Sequence, residues 1–115
     1  MKTLLVTGAS RGVGFEICKQ VAAAGHKVLA LSRNIKPLEV MENIYPFSVD
    51  LSNESDVIAF VKEITANFNT IDVLINNAGS LVNKPFLELS SAEFEEVYKV
   101  NIFAVATLTL SLIHI

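Results

Sequence analysis

The octet Thr7-Gly8-Ala9-Ser10-Arg11-Gly12-Val13-Gly14 directly follows the apolar run Leu4-Leu5-Val6 and leads into a segment with helical spacing. A strand that turns through glycines into a helix leaves backbone N–H groups pointing outward at the helix N-terminus, where the aligned peptide dipoles favour an anion. Such a turn is a cradle for a phosphate. Gly8 lets the chain leave the strand sharply, Gly12 keeps a Cβ out of the path of a pyrophosphate, and Gly14 lets the helix pack close on the sheet. The spacing is G-x-x-x-G-x-G, which departs from the G-x-G-x-x-G of many dinucleotide folds.

A second element follows about seventy positions later, where Ile71-Asp72-Val73-Leu74-Ile75 runs into Asn76-Asn77-Ala78-Gly79. With both motifs in this order, the chain resembles the short-chain dehydrogenase/reductase family over roughly residues 2 to 109. The resemblance implies an α/β Rossmann-type doubly wound parallel sheet. It also implies an NAD(P)-dependent oxidoreductase that moves hydride between a nicotinamide and a small-molecule carbonyl or secondary alcohol, and a homo-oligomer when full length.

The periodicity predicts alternating strands and helices. Residues 2 to 7 read as a strand, and Val13, Ile17, Val21 and Ala24 then recur at helical spacing until Gly25 stops the helix. Residues 27 to 31 form a second strand and residues 45 to 49 a third, with Pro46 confining it to the start or edge of a ladder. Val57, Val61, Ile64 and Phe68 mark a second helical stripe. Residues 71 to 75 read as a strand covered on both faces. Ser90-x-x-Glu93 is a capping box for a last helix running from about Ser91 toward the C-terminus. Right-handed crossovers order the strands 3-2-1-4, the first half of a doubly wound sheet.

Bulk properties narrow the classes further. With 115 residues, 51% of them hydrophobic and 18% charged, the chain is sized for one domain with one core, and a formal charge of −3 offers no basic face to nucleic acid. No apolar run is long enough to span a bilayer, and the strand begins too early for a signal peptide. A cytoplasmic protein is the simplest reading, with neither nucleic acid nor membrane as a partner. The single Cys18 reads as a buried, inert thiol, and His26 as a surface residue without chemistry.

The end of the second strand discriminates between the two cofactors, because a carboxylate there accepts from the adenosine 2′-hydroxyl and repels a 2′-phosphate. Here it reads Leu31-Ser32-Arg33, with no acid. Arg33 offers a planar fork to a 2′-phosphate and Arg11 approaches from the other side. Charge-assisted bonds worth roughly 1.5–3 kcal/mol each give two arginines a preference for NADP(H) over NAD(H) of about a hundredfold. Both arginines as solvated surface residues is the alternative.

By the resemblance, the cofactor site comprises Gly8, Ser10, Arg11, Gly12, Val13, Gly14, Ser32, Arg33, Asp50, Leu51, Asn77, Ala78 and Gly79. Asp50 would accept from the adenine amine, or cap the turn before the second helix, or do both. Asn76 would brace neighbouring strands. Asn101 falls on the apolar stripe Phe94, Val97, Asn101, Val105, Leu108, and an unpaired amide buried there would cost about 1–3 kcal/mol. It is therefore expected to have partners, either as a structural asparagine at a helix irregularity or, by the resemblance, as the catalytic asparagine that holds a water of the proton relay and positions the lysine.

Carbonyl reduction requires a general acid. The family supplies a tyrosine followed four residues later by a lysine, with an upstream serine, but Tyr45 and Tyr98 are followed at that spacing by Val49 and Ile102. Residues 1 to 109 are thus expected to be the N-terminal part of a larger domain, truncated and inactive alone, with an exposed strand edge and poor solubility. Leu110-Ser111-Leu112-Ile113-His114-Ile115 matches what the end of a common transposase-based sequencing adapter encodes, and is expected to be non-native. A 3-oxoacyl thioester reductase is one member this sequence would fit. A non-catalytic NADP-binding sensor of the same fold is the alternative, and a subunit interface on the last helix is compatible with either.

Overall fold

Three consecutive apolar residues, Leu4-Leu5-Val6, build the centre of β1 (Thr3–Thr7), and all three are buried because neighbouring strands and helices cover both their faces. The computed structural model describes residues 1–68, 70–80 and 84–112. Within them, β1 is followed by α1 (Gly12–Ala23), β2 (Lys27–Ser32), β3 (Ile44–Ser48), α2 (Glu54–Asn67) and β4 (Val73–Ile75). After these come α3 (Ser91–Tyr98), a π-helical turn (Lys99–Phe103) and α4 (Ala104–Leu112). All pairings are parallel and the order is β3-β2-β1-β4, as the sequence predicts.

Successive strand residues point to opposite faces, which divides the core in two. Leu5, Leu29 and Leu31 pack with Val57, Phe60 and Ile64 of α2 and with Leu108 and Leu112 of α4. Val6, Val28 and Ala30 pack with Cys18 and Ala22 of α1 and with Leu38. Each large side chain so buried contributes about 1.5–3 kcal/mol. Burial pushes the Cys18 thiol up to about 11, in keeping with an inert core residue.

The face that α1 turns to the sheet differs from the expected one. Gly14, Cys18 and Ala22 are buried, whereas Val13 is 70% exposed and Ala24 is also exposed. Small side chains on the contact line let the helix axis approach the sheet, and the larger Ile17 and Val21 pack at its flanks. In α2 the buried set is Val57, Phe60 and Ile64, so Phe60 replaces the expected Val61 at the contact.

Two further expectations are corrected in the second half. β4 is three residues long and Val73 is 38% exposed, so among the described residues this strand is an edge rather than covered on both faces. The last helix is interrupted: the Ala104 N–H donates to the Lys99 carbonyl five residues back, which inserts one extra residue into the turn. The insertion rotates the following helix by about one residue's angle, so Ala104, Leu108 and Leu112 face the core while Phe94 and Asn101 do not. α4 continues through Leu112, which is buried; residues 113 to 115, the rest of the expected non-native tail, lie outside the described residues.

Candidate functional site

The carboxyl ends of β1, β2 and β3 open into one cleft of about 760 Å³. It is lined by the predicted residues Gly8, Ser10, Arg11, Gly12, Ser32, Arg33, Asp50, Leu51, Asn77, Ala78 and Gly79. In open parallel sheets, ligands bind at this end of the strands, where the connections on either side of the first strand diverge.

The floor is built by the glycine turn. Gly8 has φ +64° and a side chain there would meet the Ala78 Cα at 2.9 Å. Gly12 has φ +62° but nothing within 4 Å of where its Cβ would stand, so the space beside it is open to a ligand. A Cβ on Gly14 would collide with the Gly8 carbonyl and the Asn77 amide, which places Gly14 beneath the cleft as a packing residue. Neither Gly14 nor the exposed Val13 lines the cleft.

The amide end of α1 carries no protein anion. Arg11, its N-cap, is extended and makes no side-chain capping bond, and the first turn has no acidic residue. Such a start leaves its first amides without a side-chain acceptor among the described residues, the arrangement that suits an anion. Ser32 Oγ donates to Ser10 Oγ at 2.7 Å, tying this turn to the end of β2. Arg11 and Arg33 are exposed, and neither stands in an ion pair among the described residues.

Thr7, absent from the sequence-predicted site, joins the two motifs. Its buried Oγ1 accepts from the Asn77 N–H at 3.0 Å and from the Ala78 N–H at 2.9 Å. The Asn77 side chain adds a bond from Nδ2 to the Gly8 carbonyl at 3.2 Å. The brace expected of Asn76 is therefore supplied by Asn77; Asn76 is exposed and forms no side-chain hydrogen bond among the described residues. The signal available was the threonine immediately ahead of the first glycine.

At the far end, Asp50 Oδ1 accepts from Ser52 N and Ser52 Oγ. These bonds, with the neighbouring Arg33 guanidinium, hold its carboxyl below the ordinary value against a partial desolvation. Asp50 thus caps the turn as one of its two expected roles. Asn34, Pro37, Ser80, Glu96 and Val100 also line the cleft, brought there by tertiary packing rather than by any motif.

Asn101 departs from the buried position expected of it. It is exposed, and its amide clamps one backbone unit: Oδ1 accepts from the Ser80 N–H at 2.7 Å and Nδ2 donates to the Ser80 carbonyl at 2.9 Å. Both side-chain groups are used, so the partners predicted for it are present at a helix irregularity. His26, partly exposed, accepts from the Lys2 N–H through Nδ1.

Residues 2–115 match the short chain dehydrogenase family. The NADPH-dependent 1-acyldihydroxyacetone phosphate reductase of Saccharomyces cerevisiae is 34% identical over 110 residues, covering 89% of this chain and 37% of that protein. A short-chain dehydrogenase from Streptomyces avermitilis superposes with a TM-score of 0.91 at 28% identity, covering 99% of this chain and 45% of its own. The 4-hydroxyisoleucine dehydrogenase complexed with NADH gives a TM-score of 0.90 at 27% identity, with 96% and 47% covered. The chain spans less than half the length of each of these relatives. On the sequence match across nearly all its residues and the agreement of fold, the chain belongs to the short chain dehydrogenase family.

Proposed function

We propose that this chain is the cofactor-binding part of an NADP(H)-preferring oxidoreductase that reduces a small-molecule carbonyl or oxidises a secondary alcohol. One observation carries the reading: the cleft joins uncapped α1 amides to two exposed guanidinium groups that stand in no salt bridge among the described residues, with no carboxylate at the end of β2. The open space beside Gly12 fits a pyrophosphate, because its positive φ turns backbone toward the cleft where a Cβ would otherwise stand. When bound, the nicotinamide supplies or accepts the hydride. The α1 amides hold the pyrophosphate, Arg11 and Arg33 bracket the 2′-phosphate, and Asp50 and Leu51 receive the adenine.

Asn101 Oδ1 and Nδ2 each make one bond to Ser80 and each keeps capacity for a second, so in this reading Asn101 both clamps that loop and offers a bond to a water of the proton relay. The S. cerevisiae relative is NADPH-dependent, and 4-hydroxyisoleucine dehydrogenase is complexed with NADH, so the family accommodates both cofactors. The preference here rests on the arginines. Residues 1 to 109 form, in this reading, the N-terminal part of a larger domain that supplies the acid–base pair and assembles as a homo-oligomer. Titrating the full-length protein with NADPH and NADH is expected to give about a hundredfold preference for NADPH, falling about tenfold in Arg33→Ala. Equal affinities in the parent protein would remove the assignment.

A further inference from the structure

The turn between β3 and α2 is wired more completely than a cap requires. The Asp50 backbone N–H donates to Asp56 Oδ2 at 3.1 Å, and its carbonyl accepts from the Asn53 N–H at 3.0 Å. Asn53 Oδ1 accepts from the Asp56 N–H at 3.3 Å, closing a ring of bonds across the first turn of α2. On the side chain, Asp50 Oδ1 is taken by Ser52 N at 3.0 Å and Ser52 Oγ at 2.7 Å. Among the groups of this turn that these bonds leave without a hydrogen-bond partner among the described residues are Asp50 Oδ2 and the Leu51 N–H, neighbours in sequence. Both residues line the cleft.

An acceptor on one residue beside a donor on the next complements adenine, whose amine donates while its N1 accepts. Hypoxanthine reverses that edge, with an oxygen that accepts and an N1–H that donates. We propose that Ser52 and Asp56 are positioning residues which, by fixing the Asp50 side chain and backbone, make the cleft select an adenine over a hypoxanthine dinucleotide. This rests on the reading of the cleft as a dinucleotide site. Without the Ser52 hydroxyl the carboxylate regains rotation about its side-chain torsions, and without Asp56 the Asp50 N–H loses its acceptor and the turn loosens.

The test is the affinity ratio of NADPH to its hypoxanthine analogue, measured by titration of the full-length protein. The parent is expected to favour the adenine form by about tenfold or more, the worth of one or two hydrogen bonds. Ser52→Ala and Asp56→Ala should each cut that ratio about threefold or more. Ser52→Thr, which keeps the hydroxyl, and Asp56→Asn, which keeps an oxygen acceptor, should restore it. A merely structural role would weaken both dinucleotides alike and leave the ratio unchanged, and that result overturns the proposal, as would a parent protein indifferent to the base. If Ser52→Ala fails to fold, Asp56→Ala and its asparagine partner decide the matter. Failure of the parent to bind either dinucleotide would instead overturn the proposed function itself.

Discussion

At the start of α3, the Ser90 side chain accepts from the Glu93 N–H at 3.1 Å while Glu93 Oε1 accepts from the Ser90 N–H at 3.2 Å. At the start of α1, Arg11 presents no side-chain acceptor and no acidic residue occupies the first turn. α2 sides with α3, for Asn53 caps Asp56 and both Glu54 and Asp56 stand in its first turn. Two helices thus satisfy their N-terminal amides internally, and the one that opens onto the cleft does not. Leaving a cap unmade forgoes about 1 kcal/mol of stability. The contrast sets α1 apart as the helix whose N-terminal amides no side chain caps among the described residues.

The comparison breaks first at Gly14. Replacing it with valine drives a side chain into the Gly8 carbonyl and the Asn77 amide, so Gly14→Val should lower the stability of the full-length protein by about 3 kcal/mol or more, read from urea unfolding. An unchanged midpoint would mean that α1 does not rest on the second motif. Arg11→Asp sharpens the comparison, because it gives α1 the cap that the other helices have. Here stability should rise by about 0.5–1 kcal/mol while NADPH affinity falls about a hundredfold, since the Arg11 bond to the 2′-phosphate is lost and a carboxylate takes the amides and repels the phosphates. Calorimetry beside thermal unfolding reads both signs, and a gain in affinity would refute the role given to these amides. The smallest effect belongs to Ser90→Ala, expected to lower stability by about 1 kcal/mol with NADPH affinity unchanged.

Much of this arrangement was legible before any coordinates. The glycine turn and the α3 capping box depend on residues adjacent in sequence, whose steric and hydrogen-bonding preferences act locally, and the strand order follows from the fixed hand of the crossovers between them. Apolar periodicity was less reliable where helices contact by smallness. Gly14, Cys18 and Ala22 form the α1 contact line, whereas hydrophobic spacing points to the bulkier Val13 series, because it weighs size and not closeness of approach. Asn101 was misplaced for a different reason: a continuous 3.6-residue period cannot anticipate the extra residue within Lys99–Phe103.

Taken alone, the order of residues determined the alternating parallel architecture and the cradle at its first turn, because strand, turn and helix signals there are short-range and agree with one another. Only the tertiary structure decided that Thr7 ties the two motifs together, that Asn77 rather than Asn76 does the bracing, and that Asn101 grips Ser80. Those bonds join positions 21 to 71 residues apart. They form only once the sheet has brought the strand ends side by side, so no short-range signal in the sequence encodes them.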